Sequence, residues 1–192
     1  MLYIQFNIRN AQKYTDFQRV YEHMVMVRQP GFEFEEEPEE IDWDKLSDEE
    51  MDQVISGFSE EEDLEIKRYK DLIPSYANSF FEKYFQVDNA KMGPLGILEV
   101  SSMLNYLEYG FEVDMDKLER LDEQTGIVEF STGNYPYGGM ERFLIALKAF
   151  ELIPTECYNG FTVYQFDWTS DFEHEAIELP EKTKAYLDRF KH

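Results

Sequence analysis

The spacing of apolar residues alternates along this chain between two and three-and-four. That pattern confines the fold more than any other feature. Leu2, Ile4, Phe6 and Ile8 alternate with Tyr3, Gln5 and Asn7, as in a strand with one buried face. After Asn10, a candidate N-cap, Tyr14, Phe17, Val20, Tyr21 and Met24 recur at helical spacing, and Pro30-Gly31 ends the helix they predict. Residues 32–125 read as mostly helical. Ser47-x-x-Glu50 and Ser59-x-x-Glu62 have the form of capping boxes. Pro74 starts a helix with Tyr76, Phe80, Phe81 and Tyr84, and Pro94 a segment with Ile97, Leu98, Met103, Leu104 and Leu107. Asp114 or Asp116 opens a further short helix through Leu118 and Leu121.

Beyond Gly126 the short period returns. Ile127 to Phe130 predicts a strand, Ser131 to Gly139 a loop, and Met140, Phe143, Leu144, Leu147 and Phe150 a largely buried helix. Asn159-Gly160 predicts a tight hairpin with both turn residues at positive φ, Cys157 facing Thr162. Thr162, Tyr164, Phe166 and Trp168 then share one core-facing side. A connector after Asp171 leads to a terminal helix from Pro180 through Ala185, Leu187 and Phe190. Strands at both ends with helices between them predict an α+β fold. Its sheet is small and mostly antiparallel, with strands near 2–8, 127–130, 155–158 and 161–168, covered by helices. A length of 192 residues suits a single domain over 1–192, with 32–125 as a helical acidic segment between β-containing ends.

Charge is the compositional outlier: 41 acidic against 18 basic residues give −23. Phosphate recognition needs clustered Lys and Arg, so this balance argues against nucleic acid and against an anionic membrane surface. The excess is local. Residues 33–65 hold 17 acidic residues and one basic, Lys45. Asp48 to Glu50 and Glu60 to Asp63 follow candidate N-caps, where carboxylates complement the helix dipole. The tract is therefore either solvated surface or a docking side for a basic partner. A single cysteine, no apolar run long enough to span a bilayer, and no basic, apolar leader in Met1 to Phe6 point to the cytoplasm.

Motifs for chemistry fail on inspection. An EF-hand beginning at Asp42 and Asp44 would need glycine where Ser47 stands and glutamate where Gln53 stands. Gly133-x4-Gly138 has the outline of a P-loop, but Gly139 and Met140 occupy the lysine and hydroxyl positions. HExxH and Gly-x-Ser-x-Gly are absent. His174 lies among Asp171, Glu173 and Glu175 without the three or four ligands of a defined metal site. His23, beside Met24 and Val25, reads as a surface or packing residue, and Cys157 as a small buried hydrophobe. No metal or cofactor is called for. The expectation is a non-enzymatic cytosolic protein that binds a basic protein through Glu35, Glu36, Glu37, Glu39, Glu40, Asp42 and Asp44, with Phe32, Phe34 and Trp43 as aromatic anchors. The alternative is an enzyme or small-molecule binder using the strand-to-helix loop 131–142, with Asn134, Tyr135, Tyr137, Gly138, Gly139 and Arg142 about the ligand.

Overall fold

The computed structural model describes residues 1–34, 47, 51, 64–92, 102–132 and 139–189. In chain order the elements are β1 (Leu2–Ile8), α1 (Ala11–Val27), α2 (Leu64–Leu72), α3 (Ser75–Met92) and α4 (Ser102–Asn105), which runs into a π-helical turn at Tyr106–Gly110. There follow β2 (Asp114–Arg120), β3 (Thr125–Ser131), α5 (Glu141–Ala149), β4 (Leu152–Tyr158), β5 (Val163–Trp168), β6 (His174–Glu178) and α6 (Pro180–Asp188). The six strands form one antiparallel sheet in the order β2-β3-β1-β4-β5-β6. The expected α+β fold is present, with two strands more than the sequence pattern suggested.

Alternation in β1 decides the layering. Leu2, Ile4, Phe6 and Ile8 face α1 and α5, pairing with Phe130, Val128 and Gly126 of β3 on that same side. Asn10 caps α1 as its position predicts, its side-chain oxygen accepting from the amides of Gln12 and Lys13. Rings interlock between the layers: Phe17 lies 5.4 Å from Phe150, and Phe111 lies 4.9 Å from Phe143 and 5.3 Å from Phe130. Each fully buried phenylalanine contributes roughly 1.5–3 kcal/mol. The other face is closed by α6, where Tyr186 packs on Tyr3 and Tyr158 and Lys182 pairs with Glu156. No helix among the described residues is long and apolar enough to cross a membrane.

Three expectations need correction. The helix through Leu118 and Leu121 is strand β2 instead, and a bulge between Met115 and Lys117 explains the misreading. The extra residue puts Met115 and Leu118, three apart, opposite Phe130 and Val128 on one face, so a strand imitates helical spacing. The connector after Asp171 contains β6, an edge strand exposed along most of its length. The hairpin is wider than a two-residue turn. Tyr158 pairs with Val163 and Cys157 faces Tyr164 rather than Thr162. Only Gly160 has positive φ, because Asn159 turns the chain through its side chain, accepting from the amides of Phe161 and Thr162.

Other expectations stand on partial ground. The amide of Met51 donates to the Ser47 carbonyl at 2.9 Å, while Glu50 of the first capping box lies outside the described residues. The second capping box at Ser59 and Glu62, the start at Pro94 with Ile97 and Leu98, and Phe190 lie outside the described residues.

Candidate functional site

Helix α1 turns Val20 and Met24 into the core, and His23 lies between them on the same buried side. Its Nε2 sits 2.6 Å from Oε1 of Glu108, whose side chain is fully buried. A proton on Nε2 lets the carboxylate accept, and the contact is then a short hydrogen bond. Arg68 of α2 brings its Nε within 3.5 Å of the same oxygen. Among the described residues, neither Oε2 of Glu108 nor Nε of Arg68 has a hydrogen-bond partner.

The π-helical turn makes this burial possible. Tyr106, Leu107 and Glu108 are all buried, three neighbours in sequence that a regular α-helix cannot place on one side. The amide of Phe111 reaches back five residues to the Tyr106 carbonyl at 2.8 Å, widening the turn. Arg28 satisfies the carbonyls left over. Its guanidinium donates to Met24, Leu107 and Phe111 at 2.8 Å and to Val113 at 2.9 Å. Burial lowers the Arg28 pKa, while Tyr106, Asp114 and Glu108 act in the opposite direction.

Above the buried pair lies Phe34. Its ring is near-parallel to His23 at 6.3 Å, and the Arg68 guanidinium stands 4.0 Å from its centroid. Phe32 packs edge-on against Phe34 at 4.9 Å. Of the three rings expected to anchor a partner, Phe34 is thus engaged with His23 and Arg68, and Phe32 packs on Phe34. Arg68 lies four residues after Leu64, so the residues on either side of 35–63 meet at the Phe34 ring. The segment between, 35–63, holds 15 acidic residues and Lys45. Glu35, Glu36, Glu37, Glu39, Glu40, Asp42, Trp43 and Asp44 lie outside the described residues.

A cleft of about 350 Å³ borders the same turn, lined in part by Arg28, Glu108, Glu112, Asp114, Ser131 and Thr132. The glycine loop begins at its rim, with Ser131 and Thr132. It ends at Gly139, whose carbonyl accepts from the Tyr106 hydroxyl at 2.7 Å and whose φ is +71°. Arg142 is half-buried in the first turn of α5. Asn134, Tyr135, Tyr137 and Gly138 lie outside the described residues.

His23 and Glu108 are the residues that sequence reasoning missed as a pair, since 85 positions separate them. One signal was available: Glu108 is the only charged residue between Met103 and Phe111. Cys157 is buried in β4, and that burial, with Glu156 adding to it, pushes its thiol up to about 12. Among the described residues no three His, Cys, Asp or Glu side chains are grouped to hold a metal ion. No family model matches the chain, nor does any curated protein or solved structure.

Proposed function

We propose that the protein is a non-enzymatic cytoplasmic docking protein that engages a basic protein partner through residues 33–65. The observation that carries this reading is the shared root of the tract at Phe34 and Arg68. Phe34 and Arg68, which flank a stretch of net −14, meet at 4.0 Å, and that supports reading the stretch as one source of negative charge. Fields of that kind raise encounter rates with basic surfaces, by ~10–10³-fold in favourable cases. Phe34 serves the root in this reading, and contacts to the partner come from the carboxylates that follow it and from Trp43.

The test compares two variants of equal net charge. One replaces Glu36, Glu37, Glu39 and Glu40 with Gln; the other neutralises Glu123, Asp167, Glu178 and Glu181. Binding to a labelled Lys/Arg-rich peptide is followed by anisotropy at rising salt. The tract variant should lose affinity and on-rate, and the control variant should retain them, with the parent's binding falling steeply above ~0.1 M salt. Equal losses in both variants would show that only total charge matters.

A second reading, a small-molecule site at loop 131–142, has one specific support. Ser131 and Thr132 share a cleft with Glu108. A thermal-shift screen against metabolites addresses it, since a ligand at 100-fold its Kd adds ~2.7 kcal/mol.

A further inference from the structure

A second cleft, of about 490 Å³, opens between α3, α5 and the turn joining β5 to β6. Part of its wall is apolar: Tyr84 and Val87 from α3, Ile145 from α5, and Phe172 from the turn. Thr169 and His174 are polar members of the lining, and its charged side chains are of one sign. Glu141, Glu173 and Glu175 contribute carboxylates, and no lysine or arginine is among the described lining residues. His174 adds no charge at neutral pH, because burial lowers its pKa, Glu141 opposing and Lys148 reinforcing that effect.

Lys148, behind the cleft, is already engaged. Lys148 donates to the carbonyls of Ser170 and Asp171 at 3.0 and 2.5 Å, and its ammonium lies 3.7 Å from the Trp168 ring centroid. Those bonds hold the turn that carries Phe172 and Glu173. The turn is further closed by Ser170, which accepts from both of their amides. Phe172 is itself fixed between Phe80 at 5.1 Å and Tyr84 at 5.7 Å. The cleft is therefore a preformed hollow with hydrocarbon and aromatic walls under an acidic rim.

We propose that this cleft binds an alkylammonium group, its methylenes against Tyr84, Val87, Ile145 and Phe172 and its charged end at Glu141 and Glu175. Aromatic and carboxylate surfaces both favour a cation that carries its own apolar body. The group comes either from a free aliphatic amine or from a lysine side chain presented by a peptide. The proposal does not depend on the docking role of the acidic tract.

Trp168 reports on the site, since its ring lies 4.8 Å from His174 in the lining. With Trp43→Phe, Trp168 is the only indole in the chain. This protein is titrated with 1,6-diaminohexane, with a blocked Gly-Lys-Gly peptide, and with 1,6-hexanediol as the uncharged counterpart. Saturable fluorescence change is expected with at least one ammonium ligand and not with the diol, and the tighter arm identifies the source. Glu141→Gln and Glu175→Gln, at exposed positions, should each weaken binding ~5-fold, the worth of a solvent-screened ion pair. Neutralising Glu35, Glu36 and Glu37 should leave it unchanged. No saturation with either amine, an equal response to the diol, or affinity that follows the tract carboxylates instead of Glu141 and Glu175 would overturn the proposal.

Discussion

Replacing Glu108 with leucine tests whether the root of the acidic tract is held by a buried ion network. The carboxylate accepts from His23 at 2.6 Å and lies 3.5 Å from Arg68, with no exposure of its own side chain. Its loss strands the His23 N–H in a site only 9 % exposed. Breaking one side of a buried pair costs about 3–5 kcal/mol. Arg68 retains 30 % exposure and can turn to water, which places the expected cost near the lower end, at ~3 kcal/mol. In a chain of this length that corresponds to a fall in Tm of roughly 6–12 °C. Urea unfolding should show a lower midpoint at an unchanged m-value. Adding His23→Leu should recover much of the loss, because two apolar groups of similar volume replace a buried hydrogen-bonded pair at little net cost. A Glu108→Leu protein within 1 kcal/mol of the parent, or a double variant no more stable than the single, would refute the assignment.

Other positions give independent checks. At Gly126 an added Cβ would stand 2.4 and 2.6 Å from Cε2 and Cζ of Phe6, its cross-strand partner, against ordinary carbon contacts of ~3.5–4.0 Å. Gly126→Ala should therefore destabilise by ~2–3 kcal/mol in denaturant titrations, and Phe6→Leu should relieve most of that clash. Cys157 should resist iodoacetamide at pH 8 until the protein unfolds. Its unfolded thiol ionises near 9.0 and its native thiol near 12, so between these the unfolded chain holds fewer protons. Stability should then fall as pH rises through that window, less steeply in Cys157→Ala. Lys148 has the opposite sign. Burial, opposed by Asp171 and reinforced by Arg9, lowers it from 10.5 to about 8. Its contribution to stability should increase from pH 8 to 10.5, and Trp168 fluorescence should titrate near pH 8 in the parent and not in Lys148→Met.

How much of this was legible depended on whether one element carried its own signal. β1, α1 and α5 bury a face against the core, so their apolar spacing follows their geometry, with His23 and Lys148 as buried polar exceptions. β2 was hidden by its bulge, which changes a period of two into an apparent three. β6 was hidden for a different reason: an edge strand with one neighbour and little burial has no need of apolar alternation. The pair His23–Glu108 belongs to tertiary structure alone. Its one local trace is a lone carboxylate in an apolar run, and 40 other acidic residues obscure it. Loop 131–142 was placed correctly as a strand-to-helix junction, with Gly139 at positive φ as the turn requires.

Arg28 is where these parts are tied together, and it makes the last prediction. The four carbonyls it reaches belong to the end of α1, to the π-helical turn and to the strand-entry residue Val113. A widened turn leaves carbonyls without intrahelical donors, and three nitrogens in a rigid planar fork meet them from one position. Lysine carries three donors on a single atom and cannot span acceptors so placed. Arg28→Lys should consequently lose nearly as much stability as Arg28→Met, on the order of 3 kcal/mol when bonds to a charged donor are broken. Loss of the fork should also loosen Glu108, which follows the Leu107 carbonyl that Arg28 holds, and with it the seat of Phe34. In hydrogen exchange the amide of Phe111, which closes the widened turn, should lose protection in both variants. Full protection of that amide in Arg28→Lys would mean that the turn holds itself, and that the guanidinium only fills space beside it.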